Sequence, residues 1–571
     1  MTNQEIANIL YNISEYLAME NVSFKPRAYE KAAANIESLE ENASDIYKTG
    51  GIKALENIPA VGKGIAERIE ELLKTGKIKD CEKLKKKTPV ELEELTAVEG
   101  VGPKSILKLY KELKIKTLKD LERAVKTGKV QKIEGFGSKS EENILMAIEF
   151  LKRSSGRFPL GWILHDVRHI EEKIKSLKGV KRTLLGGSIR RMKETVGDAD
   201  LLVAVSSQKA AKEVMEFFVN MPEVNHIYSR GATRSSVRLK NNLDFDLRVV
   251  PIESFGAAAQ YFTGNKDHNI ELRKIAIGKG LKLNEYGVFQ GKKRVAGRTE
   301  EDVYRALGLK WMEPELRENT GEIELSKQNK LPNIIGYNDL RGDLQMHSKW
   351  SDGTNMIEQL AEKAMEMGLE YIAITDHIRG VLDCINEKEI IAQGKEIDKL
   401  NRKLKNFRIL KGGEVDILND GRLFMKDEAL KKLDVVGAAI HSNFKMPKEK
   451  MTKRIIRAMK NPNVDILFHP TGRLLGLRPP YEMDIEKIIR VAKETKTILE
   501  INARFNRLDL KDEYLRMAKN AGVKIAINSD AHNISHFQYL ELGIAQARRG
   551  WLSKDDVINT QPLEKMLKML K

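Results

Sequence analysis

From about residue 338 onward, short apolar runs alternate with amphipathic stretches such as 355–368 and 485–495. The runs lie at 371–375, 409–410, 435–440, 464–468 and 523–528. Short apolar runs bounded by polar turns read as buried strands, and the stretches between them as helices. The alternation therefore predicts a parallel α/β domain over 338–571. Upstream the pattern changes. Residues 155–252 carry strand signals at 183–185, 201–205 and 245–250, and 253–318 is mixed. The first 150 or so residues read instead as helices joined by glycine turns, divided into 1–80 and 81–154. Residues 319–337 are polar and broken by Gly321, Pro332 and Gly336, which predicts a linker.

The ends of the C-terminal runs carry chemistry. They lead into Asp376-His377, Gly413-Glu414, His441, His469, and Asp530 with His532. Parallel strands of a barrel deliver side chains to one end, where metal sites are built. Satisfied core histidines would scatter instead.

Composition narrows the class of partner. The chain has 571 residues, is 41% apolar, and carries 99 Lys+Arg against 82 Asp+Glu, a net charge of +17. That surplus favours a polyanionic partner. Cys81 and Cys384 form no paired motif, which excludes a zinc finger or disulfide framework and fits a reducing cytoplasm. No signal-peptide pattern opens the chain, and no apolar run approaches the ~20 residues of a membrane span.

A self-similar element recurs in the helical region: Ile58-Pro59-Ala60-Val61-Gly62-Lys63-Gly64, Val98-Glu99-Gly100-Val101-Gly102-Pro103-Lys104 and Ile133-Glu134-Gly135-Phe136-Gly137-Ser138-Lys139. Each glycine turn offers backbone N–H groups at a helix start, where missing side chains let a phosphate approach. Lys104 and Lys139 add charge. The element resembles the helix-hairpin-helix motif, which implies DNA-backbone binding through Gly62, Gly64, Gly100, Gly102, Lys104, Gly135, Gly137 and Lys139. Ala60 stands where a leading glycine is usual. If the hairpins together hold about four phosphates, DNA affinity should fall roughly a hundredfold between about 50 and 200 mM salt, measurable by fluorescence anisotropy on a gapped duplex. A flat salt dependence would exclude phosphate binding by the turns.

Asp198-Ala199-Asp200 opens an apolar strand, and a period of two puts both carboxylates on one side. Asp244 and Asp246 share that spacing on a second strand. Three converging carboxylates can hold two Mg²⁺ ions that activate a 3′-hydroxyl and stabilise a leaving pyrophosphate. Just upstream, Gly186-Gly187-Ser188-Ile189-Arg190-Arg191 is a glycine turn with two arginines suited to a triphosphate. These motifs resemble the nucleotidyltransferase motif of family X DNA polymerases, the polymerase beta relatives. The resemblance covers about residues 1–318 and implies a palm at 155–252 and a nucleotide-selecting thumb at 253–318. It implies Asp198, Asp200 and Asp246 as catalytic metal ligands, with register favouring Asp246 over Asp244. It also implies nucleotide contacts from Gly187, Ser188, Arg191, Gly197, Tyr261, Phe262, Gly264, Asn269 and Arg273. Lys266 replaces the family's usual acidic residue. The position matching the family's Schiff-base lysine is Arg68, so little or no 5′-deoxyribose phosphate lyase activity is expected.

Asp343-Leu344-Gln345-Met346-His347-Ser348, with the strand-end residues above and Asp352, resembles the polymerase and histidinol phosphatase (PHP) domain over about 338–571. That family implies a distorted (β/α)7 barrel and a metal cluster. Its ligands here would be His347, Asp352, His377, Glu414, His441, His469, Asp530 and His532, with Gln345 binding weakly where histidine is usual. Mixed imidazole and carboxylate ligation suits Zn²⁺ or Mn²⁺. Arg473 and Arg478, just after His469, are expected to clamp phosphate.

The whole therefore reads as a multidomain α/β enzyme, a monomeric repair DNA polymerase that fills short gaps from dNTPs. Its barrel would add 3′–5′ exonuclease, 3′-end-processing or abasic-site endonuclease activity. The alternatives are a small-molecule phosphatase with a vestigial DNA-binding half, or a non-catalytic gap-binding scaffold.

Overall fold

The computed structural model describes residues 1–571 apart from 2, 20–24, 38, 40, 97, 99–100, 134–135, 137–140, 142–143, 146–147, 149–155 and 379–383. Expectations on Gly100, Gly135, Gly137 and Lys139 lie outside the described residues.

The N-terminal region is helical. Asn3–Met19, Lys25–Glu37, Ala43–Glu56 and Lys63–Thr75 enclose one apolar cluster that includes Ile6, Leu10, Ile36, Leu55 and Ile69. A second cluster, with Leu109, Leu121 and Val125, is built by Pro103–Leu113 and Leu118–Lys126. The last of these helices starts on a reciprocal cap, in which Thr117 accepts from the Asp120 N–H and Asp120 accepts from Thr117.

A five-stranded sheet follows, in the order Val180–Leu185, Asp198–Val205, Asp244–Val250, Arg234–Leu239, Val224–Arg230. Asp198–Val205 and Asp244–Val250 run parallel; the other pairs are antiparallel. Helices Leu160–Lys175 and Gln208–Val219 cover one face. Helices Phe255–Thr263 and Lys266–Gly278 lead into a small three-stranded sheet.

Residues 319–337 are not a free linker. Helix Glu322–Lys327 packs there with Glu322 fully buried, and its carboxylate accepts from the backbone N–H groups of Asn319 and Thr320 and bonds the His268 ring at 2.7 Å. Charged residues in that segment are paired inside the fold, which polarity alone does not reveal.

The C-terminal domain is a parallel barrel. Its strands run in the order Gly342–Asp343, Tyr371–Ile374, Arg408–Asp416, Val435–Ala439, Ile466–Leu467, Ile498–Asn502, Ile525–Asn528, with His377–Ile378 added on Arg408–Asp416. A bridge between Met346 and Ala531 brings the ends together. Tyr371, Leu410, Ile466, Phe468 and Ile498 fill the interior. The Phe468 ring lies so close to Gly437 that a Cβ there would sit 1.8 Å from it, so only glycine fits. Among the described residues, no helix is long and apolar enough to cross a membrane.

The barrel and the sheet domain share a core. Leu475, Leu508, Leu542 and Ala545 of the barrel pack into the cluster formed by Leu160, Val167, Leu201 and Phe218. Ion pairs join the same faces, Arg473 to Glu194 at 2.8 Å and Arg168 to Glu541 at 2.8 Å, and Arg548 ties the barrel to Glu315 of the segment after the sheet domain at 2.7 Å. Burial of the apolar residues supplies most of the stability of this contact, and the pairs fix its register.

Candidate active sites

The parallel register sets Asp198 beside Asp244 and Asp200 beside Asp246. The two members of the second strand differ in their engagement. Asp244 is held by both Nε and Nη2 of Arg238, at 2.8 and 2.9 Å. Asp246 is touched by Arg234 at 2.7 Å and lines a small cleft with Asp200, Gly186, Arg248 and Phe262. Burial, then the charges of Asp198 and Asp246, push the Asp200 carboxyl up to about 6. Carboxylates crowded against their own repulsion are a poor structural device and a good cation site.

Gly187 approaches this carboxylate closely. Its φ is +57°, and a Cβ would lie 2.8 Å from Asp200 Oδ2. Gly187 and Ser188 open the short helix Gly187–Arg190, and Gly197 precedes the Asp198 strand. Across the cleft, Phe262 carries Arg248 over its ring at 4.6 Å and meets Tyr261 edge-on. Asn269 donates to the Tyr261 carbonyl at 2.7 Å and accepts from Gln260 at 2.6 Å, so its amide positions the aromatic pair. Arg273 is exposed on the following helix.

The two arginines of the glycine turn are not free for a triphosphate. Arg190 bonds Glu300 at 2.6 and 2.9 Å and Thr263 at 2.6 Å. Arg191 bonds Glu318 at 3.0 Å and the Thr263 carbonyl. Both tie the sheet domain to the segment that follows it, because carboxylates distant in sequence fold against them.

The raised Asp200 value has a consequence for stability. The folded-state value lies above the ordinary 3.8, so this contribution is present below about pH 4 and is lost as pH rises through about 6. At neutral pH the charge costs on the order of 2 kcal/mol, allowing for partial exposure. We predict that Asp200→Asn raises the melting temperature of metal-free protein by a few degrees at neutral pH, with the gain shrinking toward about pH 4. Calorimetry with chelator present checks it; an unchanged or lower melting temperature would show that Asp200 carries no such strain.

At the barrel's end, Glu414 is the hub. Its oxygens lie 2.7 Å from His469 Nε2, 3.1 Å from His377 Nδ1, 3.2 Å from His441 Nε2 and 3.3 Å from His347 Nε2. Asp352 sits 3.2 Å from His532 Nε2 and 3.6 Å from His377 Nε2. Asp530 lies 3.2 Å from His347. His347, Asp352, His377 and His532 form one group with metal-holding geometry, and His377, Glu414 and His441 another. His469 and Asp530 hold positive φ, +30° and +52°, a strain that the packed barrel imposes on its strand-end side chains.

The residues fit a metal cluster. Both ring nitrogens of His347, Nδ1 of His377 and His469, Nε2 of His441 and Oε2 of Glu414 are buried with no hydrogen-bond partner. Such atoms cost free energy unless something accepts their lone pairs. Supporting bonds set the tautomers: His441 Nδ1 meets Asp416, and His532 Nδ1 meets the Asp530 carbonyl at 2.8 Å, leaving each Nε2 facing the site. Burial opposes the charge on Glu414, but His377 and His441 outweigh it and hold the carboxyl well below its usual range.

Gln345, Arg473 and Arg478 are engaged by neighbours beside the site. Gln345 belongs to a polar layer beside the site: its carboxamide nitrogen donates to the two Glu500 oxygens at 2.6 and 3.1 Å. Arg473 and Arg478 are not a clamp. Arg473 bonds Glu194 and the carbonyls of Arg507 and Leu508, and Arg478 donates to the Gly472 carbonyl and stacks on Phe444.

Among the described residues, Arg504 and Arg507 bring positive charge to the cluster. Nε of both, and Nη1 of Arg507, are buried without hydrogen-bond partners, and Arg507 Nε lies 3.4 Å from Asp530. They follow strand Ile498–Asn502, whose apolar pattern is interrupted by Glu500 and so gives no continuous run in the sequence.

In the helical region, Gly62 and Gly102 cap helices Lys63–Thr75 and Pro103–Leu113 with extended backbones. A Cβ at either would meet nothing within 4 Å, so the approach is open. Gly64 and Lys104 are the second residues of those helices. Ala60 carries φ +61°, the left-handed conformation that makes glycine usual there. Arg68 bonds Asp80 and the Gly64 carbonyl, each at 2.7 Å.

Comparison with known proteins matches four family models along the chain. Residues 1–78 match the helix-hairpin-helix domain, 92–149 the SAM-like helix-hairpin-helix tandem, 258–318 the DNA polymerase beta thumb and 343–504 the PHP domain. The chain is 38% identical over 578 aligned residues to the DNA polymerase/3′-5′ exonuclease PolX of Bacillus subtilis (strain 168), covering 100% of both chains. It is 28% identical over 352 residues to DNA polymerase lambda of Arabidopsis thaliana, covering 55% of this chain and 61% of that one. Over 214 residues, 36% of the chain, it is 35% identical to a probable phosphatase of Thermoanaerobacter sp. (strain X514), covering 83% of that protein. A palm-like carboxylate sheet, a polymerase thumb and an imidazole-rich barrel, joined in one chain that matches PolX from end to end, mean that this protein belongs to the PolX family of family X polymerases with a C-terminal PHP domain.

Proposed function

We propose that the protein fills short gaps in DNA from dNTPs and trims 3′ ends with its barrel, as a monomer in the cytoplasm. The observation that carries this is the pairing of Asp200 with Asp246 on parallel strands beneath the Gly186–Arg191 turn, in one packed body with the unpartnered imidazole cluster. Asp198, Asp200 and Asp246 would hold Mg²⁺, which supplies activation of the primer 3′-hydroxyl and charge neutralisation of the leaving pyrophosphate. Gly187 and Ser188 leave room for the triphosphate. Tyr261 and Phe262, braced by Asn269, shape the wall against the sugar, and exposed Arg273 faces the template. Gly62, Gly64, Gly102 and Lys104 hold the duplex backbone.

In the barrel, His347, Asp352, His377, Glu414, His441, His469, Asp530 and His532 would hold Zn²⁺ or Mn²⁺, which supplies a nucleophilic hydroxide at neutral pH. Arg504 and Arg507 would take the scissile phosphate, since their unpartnered N–H groups lie beside the ligands. Asp416 fixes the His441 ring. The product would be a shortened 3′ end, or a cleaned one.

A 5′-labelled primer on a gapped template, with and without dNTPs in Mg²⁺ and in Mn²⁺, tests both halves. Extension by the gap length with dNTPs and shortening without them is expected. No extension in either metal would sink the polymerase reading, and no shortening the hydrolase reading.

A further inference from the structure

One carboxylate stands where the sheet domain, the nucleotide-selecting segment and the barrel meet. Glu318 Oε1 accepts from Arg191 Nε at 3.0 Å and from Arg549 Nη1 at 3.1 Å. Its Oε2 accepts from Asn265 Nδ2 at 3.0 Å. Arg549 belongs to the barrel helix Leu540–Arg549, and its side chain is 3% exposed. The same guanidinium donates to the Arg191 carbonyl at 3.0 Å and, through Nη2, to Asp512 at 2.6 Å. Arg191 reaches on to the Thr263 carbonyl, and a Cβ on Gly264 would lie 3.2 Å from Arg191 Nη1. One buried guanidinium of the barrel therefore grips both the backbone of the glycine turn and the carboxylate that orients Arg191 and Asn265.

We propose that Arg549 is a positioning residue for the incoming nucleotide, acting from the barrel through Glu318 on Arg191 and on the Thr263–Asn265 turn beside Tyr261 and Phe262. The inference rests on the polymerase reading above. A planar guanidinium suits the task because it makes directed bonds to three acceptors at once, Asp512, Glu318 and the Arg191 carbonyl. Burial alone would raise the Glu318 carboxyl, but Arg549, Arg191 and Lys193 together hold it below its usual range, so it stays an ionised acceptor for all of them. The barrel thereby completes the geometry of a nucleotide pocket to which it contributes no contact of its own.

The test is steady-state filling of a one-nucleotide gap by the full-length protein, with Arg549→Met, Arg549→Lys, Glu318→Gln and the Arg549→Met/Glu318→Gln double variant. Both single removals should raise KM for the dNTP roughly tenfold while kcat changes less than about threefold. Arg549→Lys should fall between Arg549→Met and the parent. The double variant should be no worse than the worse single, because both act through one node. Shortening of the same primer without dNTPs should be unaltered in Arg549→Met, which a general loss of barrel packing would not allow. Unchanged KM in the single variants, or full additivity in the double, overturns the proposal. If Arg549→Met does not fold, Glu318→Gln decides, since it keeps the side chain's size and removes only its charge. A parent protein that incorporates no nucleotide would instead defeat the polymerase reading itself, and this inference with it.

Discussion

Asp198→Ala should cut gap filling by roughly a thousandfold or more while leaving 3′ shortening intact. Asp198 is exposed at the mouth of the cleft, where its strand begins, and Asp200 stands behind it, more buried. Deleting the outer carboxylate removes one of the three negative groups that would share a cation and at the same time relieves the repulsion felt by Asp200. The variant therefore keeps a carboxylate pair but not the charge density needed to hold divalent ions near a triphosphate. The fold should not suffer, because an exposed strand-end aspartate supports no core contact, and its loss relaxes a strained cluster. Gel assays of the same preparation, with and without dNTPs, separate the two activities. Synthesis at parental rates would mean that the strand carboxylates are structural, and the assignment of the cleft would fall.

The period-two alternation that made Asp198 and Asp200 visible works only where one face of a strand is apolar. Strands Val224–Arg230 and Arg234–Leu239 of the same sheet carry no such alternation over their full length: the first is almost wholly exposed, and the second interleaves arginines that reach strand Asp244–Val250. Strand-end chemistry in the barrel was legible because each parallel strand ends at the same rim, so apolar run and ligand are adjacent in sequence. What adjacency cannot convey is direction across the fold. Arg473 follows His469 closely yet turns away to Glu194, and Arg191 follows the glycine turn yet is claimed by Glu318. Arg504 and Arg507 lie beyond a strand broken in pattern by Glu500, so the side chains aimed at the cluster were the least conspicuous. The 319–337 segment shows the same limit in another form, since a buried carboxylate such as Glu322, hydrogen-bonded to the His268 ring, looks like surface polarity until its partner is placed.

Glu414→Gln should abolish 3′ shortening, by roughly a thousandfold or more, with gap filling retained. No other side chain of the cluster meets as many imidazoles: His347, His377, His441 and His469 all lie within 3.3 Å of its oxygens. Glutamine keeps the volume, so the barrel core is undisturbed, but it replaces one anionic oxygen with an N–H donor. That donor would point at imidazole nitrogens or at a cation, and either way the charge balance that keeps Glu414 ionised among histidines is gone. Bound metal, measured by elemental analysis after gel filtration, should drop in step with activity, which separates lost ligation from lost chemistry. Polymerase activity serves as the internal control, because Glu414 has no contact with the carboxylate sheet and the interface between the two halves is built from Leu475, Leu508, Leu542 and Ala545 elsewhere on the barrel. If Glu414→Gln retained both its metal and its hydrolysis, the barrel's chemistry would have to be sought outside this cluster; if it lost both activities together, the two sites would be more tightly joined than their separate ligand sets allow.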